Sequence, residues 1–281
     1  MRRLTPTLLI LFVVAGYPAA ATGATTASRA ADYLVSRQSA DGCLGDRTGT
    51  GWGAIALRAA GRPIAARAAA RCLARQSAAL RTATDRELGI MAAVAGGLNP
   101  RNFGGRDLVG LLERSRHGGY YGRGTATNAS IFGVLALKTA NRPIPRAVVR
   151  QLLRDQAAGG GFDYFPEGQQ SDMTAAGIQA LRAAGYSCRS RAVRRALTAL
   201  ERFRSGAGYV LGIGQQPNAQ STAWAIQAKL ACGRATMASL RWLRARQTAD
   251  GSVRYGPYEV GRIWVTSQAI PALAKRHWPI R

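Results

Sequence analysis

Gln38-Ser39-Ala40-Asp41-Gly42-Cys43 returns near the other end of the chain as Gln247-Thr248-Ala249-Asp250-Gly251-Ser252. Weaker copies lie between them: Gln76-Ser77-Ala78-Ala79, Ser115-Arg116-His117-Gly118-Gly119-Tyr120, Gln156-Ala157-Ala158-Gly159-Gly160-Gly161-Phe162 and Ser205-Gly206-Ala207-Gly208-Tyr209. Anchored at Gln38, Gln76, Ser115, Gln156, Arg202 and Gln247, the copies recur about every 38 to 46 residues. A period of that length marks a repeat fold, in which one supersecondary unit cannot bury its apolar face alone and must stack on its neighbours.

Each unit reads as two helices. Before the anchor runs an Arg-bearing helix, as in Ala147–Arg154 or Met237–Arg244, with apolar residues at i, i+3 and i+4. After the anchor come a Gly-rich turn and a second helix of small, apolar residues. The spacing predicts these second helices at Trp52–Ala60, Leu88–Ala95, Ser130–Ala140, Thr174–Ala184, Thr222–Ala231 and Val265–Ala274. Ala56-Leu57-Arg58-Ala59-Ala60-Gly61 and Ala180-Leu181-Arg182-Ala183-Ala184-Gly185 share one stop signal, the Gly supplying a left-handed C-cap. Asn141 fills the same place after Ala136–Ala140, and Arg62-Pro63-Ile64 and Arg142-Pro143-Ile144 open the next helix. A helix apolar on most faces must be buried. The expectation is therefore an all-α fold of about six hairpins, apolar helices inside and Arg-rich helices outside, as a straight solenoid or, favoured at six units, a closed double ring.

Gln-x-x-Asp-Gly at this period, with Gly160-Gly161-Phe162 and Ser171-Asp172-Met173-Thr174-Ala175, resembles the repeat of the prenyltransferase and squalene-cyclase superfamily. The resemblance covers nearly the whole chain after its N-terminal segment and implies an α/α toroid over residues 28–281. Cyclases of this kind open an inner helix with Asp-x-Asp-Asp-Thr-Ala, whose middle Asp is the protonating acid. The matching window here is Gln170-Ser171-Asp172-Met173-Thr174-Ala175, so Asp172 is the one catalytic candidate, and Gln170 and Met173 replace the carboxylates that would tune it. As a plain N-terminal helix residue, Asp172 has a capping role instead. A zinc site of the prenyltransferase type is not expected, because His117 and His277 stand in no ligand-like spacing with a cysteine. No thioester stretch, nucleophile elbow or phosphate loop is present, and no cofactor is implied.

Met1-Arg2-Arg3, the apolar run Leu8–Val14 and Ala19-Ala20-Ala21 read as a signal peptide over residues 1–21, with Ala24 as a second cleavage option. About 260 residues remain, one large domain. Four cysteines in an exported chain suggest two disulfides. Cys188 and Cys232 each follow an inner helix in adjacent units, and Cys43 sits in the first unit's turn and Cys72 in the second unit's outer helix. The repeat map thus pairs Cys188 with Cys232 and Cys43 with Cys72.

The formal charge is +25, nearly all of it Arg, along outer-helix rows such as Arg67-Arg71-Arg75, Arg146-Arg150-Arg154 and Arg191-Arg194-Arg195. Such a belt suits an anionic envelope polymer or simply a solvated face. No nucleic-acid motif accompanies it, which disfavours DNA or RNA as a partner. Aromatics cluster by position. Tyr120, Tyr121, Phe162, Tyr164, Phe165, Tyr209, Tyr255 and Tyr258 fall in the turns, and Trp52, Trp224 and Trp264 near inner-helix starts. A closed ring would gather them at one mouth with Asn128, Asp172, Ser221, Thr222 and Ser267, as a small-molecule site requires. Tyr121, Asn128, Tyr164, Asp172, Thr222, Trp224, Tyr258 and Trp264 are the expected ligand contacts. Carboxylates for acid–base chemistry are few: Asp163, Glu167, Asp172 and Glu259. The expected protein is a monomeric exported binder of a small apolar or amphipathic ligand. An isoprenoid cyclase and a structural or adhesive envelope protein are the alternatives.

Overall fold

The computed structural model describes residues 25–124, 126–164, 170–256, 258 and 260–281. Residues 1–21, expected to be a signal peptide, and Phe165, Glu167 and Glu259 lie outside the described residues. Among those described, the helices are α1 (Thr26–Arg37), α2 (Arg47–Ala59), α3 (Pro63–Arg75), α4 (Ala83–Ala95), α5 (Leu108–Arg114) and α6 (Thr127–Thr139), then α7 (Arg146–Arg154), α8 (Ser171–Ala183), α9 (Arg191–Glu201), α10 (Ala219–Leu230), α11 (Met237–Arg244) and α12 (Arg262–Leu273). Odd-numbered helices are outer and even-numbered ones inner. Each inner helix packs on both inner neighbours, α12 on α2 included, so six hairpins close into a ring. The burial pattern is the one that the composition demands. Along α8 every residue except Arg182 is buried, whereas α7 buries only Val148 and Leu152. No helix among the described residues is long and apolar enough to cross a membrane.

The repeated Gln-x-x-Asp-Gly motif is the hinge of this closure. The Gln38 side chain donates to the carbonyls of Gly42, in its own turn, and Ala65, at the start of the next outer helix. Gln156 bonds Gly160 and Ala192 in the same way, and Gln247 bonds Gly251 and Thr26, joining the last unit to the first. The glycines are obligatory. Gly42, Gly160 and Gly251 have φ of 89°, 89° and 90°, and each lies against a backbone carbonyl of the next outer helix (Ala68, Arg195, Arg29), where a Cβ would collide.

A second recurring contact ties turn to inner helix. Thr50, Thr174, Thr222 and Thr266 accept the backbone N–H of Leu44, Phe162, Tyr209 and Val253 at 2.9, 3.0, 2.9 and 2.9 Å. Further along, Gly133 and Gly177 leave room for the rings of Tyr121 and Phe162, which the turn folds onto the helix. These bonds pull the helix starts back into the turns. The inner helices therefore begin three to five residues earlier than the apolar runs suggest, at polar residues such as Ser171 and Thr127. The turns of units three and five also form small antiparallel ribbons. Arg116–His117 (β1) pairs with Tyr120–Tyr121 (β2), and Gly208–Val210 (β4) lies between Arg204–Ser205 (β3) and Pro217–Asn218 (β5).

All six inner helices stop alike. The N–H groups of Arg62, Leu98, Arg142, Tyr186, Arg234 and Arg276 return to the carbonyls of Leu57, Ala93, Leu137, Leu181, Lys229 and Pro271. This is the Schellman bond, made through left-handed Gly61, Gly97, Asn141, Gly185, Gly233 and Lys275. Cys43–Cys72 and Cys188–Cys232 are disulfide-bonded, each between adjacent units.

Candidate functional site

Because every hairpin repeats the same direction, the N-terminal halves of the six inner helices converge on one cavity of about 390 Å³. Its floor is aromatic. Trp52 of α2 meets Phe132 of α6 and Trp224 of α10 edge to face, with ring centroids 6.1 and 6.0 Å apart, and Phe132 and Trp224 complete the triangle at 5.9 Å. Beneath it, Trp278 packs 6.2 Å from Trp52. Trp278 belongs to the segment that crosses the opposite end of the barrel, its backbone N–H donating to Gln179 Oε1 and Arg281 anchored on the Lys138 carbonyl.

The polar wall is less well satisfied. Glu87 of α4 is fully buried, and among the described residues neither carboxylate oxygen has a partner; Asn128 Oδ1, at the start of α6, has none either. Burial, with a smaller push from Asp85, raises Glu87 well above the ordinary carboxylate range, toward the neutral acid. Asp172, 5% exposed, is raised from 3.8 to about 6 by burial, against the opposing hydroxyls of Ser221 and Ser171. Gln268 is held in place by the indole N–H of Trp224, 2.8 Å from its Oε1. Buried polar groups without partners are uncommon in folded proteins and call for an occupant or a role.

Of the expected contacts, Asn128, Tyr164, Asp172, Trp224 and Trp264 line this cavity together. Tyr121 is buried against Gly133 and faces a neighbouring chamber instead. Thr222 is spent on the Tyr209 N–H, and Tyr258, 61% exposed, lies beside Tyr255 at 5.3 Å and is not among the residues that line the cavity. Several turn aromatics act structurally. Phe162 fills the space over Gly177, Tyr120 donates to Asp155, and Tyr209 donates to Glu201. Asp172 makes no capping bond, since no side chain caps α8. Glu87, Phe132 and Gln268 were not anticipated. A signal for Glu87 existed: aligned on their stops, the inner helices place Gly51, Ile131, Ala175 and Ala223 in its register, so one carboxyl interrupts an apolar position.

No protein-family model matches the chain, and no curated protein matches it in sequence. Solved structures match it in fold. A protein from Actinoplanes is 19% identical with a TM-score of 0.64, over 89% of this chain and 98% of that one. The type II terpene cyclase MstE from Scytonema is 16% identical with a TM-score of 0.71, over 89% and 97%. A glycosidase variant in complex with glucose is 13% identical with a TM-score of 0.58, over 89% and 96%. The chain has the α/α-toroid fold of the terpenoid cyclases.

Proposed function

We propose that this toroid is a binding protein that holds a small amphipathic molecule in its central cavity. The observation that carries the proposal is the pairing, in one cavity, of an aromatic floor with buried polar atoms that have no partner among the described residues, the Glu87 carboxylate oxygens and Asn128 Oδ1. A ligand with one apolar face and one hydrogen-bonding face satisfies both. The volume of about 390 Å³ falls within the roughly 300–1,000 Å³ typical of small-molecule sites. Binding rather than catalysis is favoured because burial weakens Glu87 and Asp172 as acids: alkene protonation needs a strong acid, and Asp172 at about 6 is a poor one. Two disulfides support an oxidising, extracytoplasmic setting, with residues 1–21 as the export signal. The experiment is native mass spectrometry with organic extraction of protein purified from an exporting host. A stoichiometric bound compound, lost in Trp224→Ala, is expected. An empty protein that also fails to bind an apolar fluorescent probe overturns the reading.

One observation favours a second reading, an isoprenoid cyclase: three carboxyls, Asp85, Glu87 and Asp172, line the same aromatic-walled cavity, and aromatic faces stabilise cations. MstE, of similar fold, is a terpene cyclase. Cyclised product from a linear isoprenoid, abolished by Asp172→Asn, would decide for it.

A further inference from the structure

Beside the mouth lies a chamber of about 730 Å³, which shares Thr84, Asn128 and Tyr164 with the aromatic cavity. Its walls carry Arg81, Arg86 and Arg123, and no carboxylate stands among its described lining residues. None of the three forms an ion pair among the described residues. Among the described residues Arg86 reaches only the Leu111 carbonyl, at 3.4 Å, and its buried Nε has no partner. Burial of Arg86, with Arg106 and Arg114 adding repulsion against an opposing Asp85, weakens its hold on the proton.

Excess Arg alone does not explain this cluster. Elsewhere arginines are employed in the repeat: Arg75 donates to the Asp41 carbonyl, Arg195 to Ala157 and Ala158, and Arg202 to Gly159. Among the described residues the Arg81 and Arg123 side chains make no such bond and Arg86 makes only the long one to Leu111, and like charges in a partly desolvated space repel. Two further groups point the same way. The Tyr121 hydroxyl is buried, 2% exposed as a residue, and unpartnered. The first turn of α6 borders the chamber through Ala126, Asn128 and Ala129, and no side chain caps it, whereas Thr82 and Asp85 cap α4 reciprocally. An uncapped helix start presents N–H donors and the positive end of the helix dipole.

We propose that this chamber binds one anionic group (a carboxylate, sulfate or phosphate) through Arg81, Arg86 and Arg123, with the Tyr121 hydroxyl as an additional donor. The inference deepens the proposed function and rests on it in one respect: the anion is the head of the amphipathic ligand whose apolar body fills the adjoining cavity.

The test is calorimetric titration with dodecyl phosphate, 1-dodecanol and inorganic phosphate, on the wild type and the double variant Arg81→Gln/Arg123→Gln. Both substituted side chains are exposed, so the thermal midpoint of the variant serves as a folding control. The wild type is expected to prefer dodecyl phosphate over dodecanol at least about tenfold, with affinity falling as salt rises. The double variant is expected to lose that preference while keeping its affinity for dodecanol. Equal affinity for the two amphiphiles overturns the anion site and leaves the cavity reading standing; so does a preference that survives in the double variant. If neither amphiphile binds, the cavity reading falls and inorganic phosphate decides. Arginine-dependent phosphate binding supports the site, and its absence overturns it.

Discussion

The two ends of the toroid are made from the same six helices and finish in opposite ways. At the base, where the inner helices end, every helix stops on the same backbone bond, and residues 275–281 seal the barrel with the buried Trp278. Arg58, Lys138, Lys275 and Arg276 stand around those helix ends, where cations complement the negative end of the helix dipole. At the mouth, where the helices begin, Glu87 and Asn128 are buried without partners and Asp172 is held above its ordinary range. The difference separates a face built for stability from one that forgoes it. The Trp278 indole N–H at the base also lacks a partner among the described residues, but of the two ends only the mouth buries a carboxyl, Glu87, with neither oxygen partnered.

The largest expected effect tests the base. Trp278→Ala removes the seal under Trp52 and should destabilise the protein by about 3–5 kcal/mol in denaturant titration. A loss below about 1 kcal/mol would break the comparison. The next tests the mouth and has the opposite sign. The Asp172 carboxyl is raised from 3.8 to about 6 in the folded protein, so the folded state binds its proton more tightly than the unfolded chain does. Stability from this group is therefore full below about pH 4 and is lost as pH rises through about 6, at a total of about 3 kcal/mol. Asp172→Asn removes that loss. It should be more stable than the wild type at pH 8 and gain nothing at pH 3.5, as read from urea midpoints across that range. A variant less stable at pH 8 would show that Asp172 is structural. The smallest effect divides the mouth itself. Thr222→Val unlatches the Tyr209 N–H at a cost of about 1 kcal/mol and should leave binding of an apolar probe unchanged, because Thr222 faces the turn. Weakened probe binding would return Thr222 to the ligand site.

Much of the architecture was legible. Gln38, Gln156 and Gln247 carry the unit boundaries, Gly61, Gly185 and Asn141 the helix stops, and the repeat map alone paired Cys43 with Cys72 and Cys188 with Cys232. The helix starts were less visible, because polar first turns such as Ser171-Asp172 are drawn in by a latch residue rather than by apolar periodicity. The site was legible only in part. Turn aromatics have two possible fates, packing on a helix glycine as Phe162 does or opening to the cavity as Tyr164 does, and the local sequence around both is alike.

By itself, then, the chain determined its repeat unit, the polarity of each hairpin and the number of hairpins, because these depend on residues close in sequence: caps, turn glycines and apolar spacing. Only the tertiary structure decided that Glu87, Asn128 and Asp172 share one cavity over Trp52, Phe132 and Trp224, and that Arg81 and Arg123 face one chamber. Those groups come from different units of the ring. Their meeting depends on closure, the bond from Gln247 to the Thr26 carbonyl across 221 residues, which no local pattern specifies.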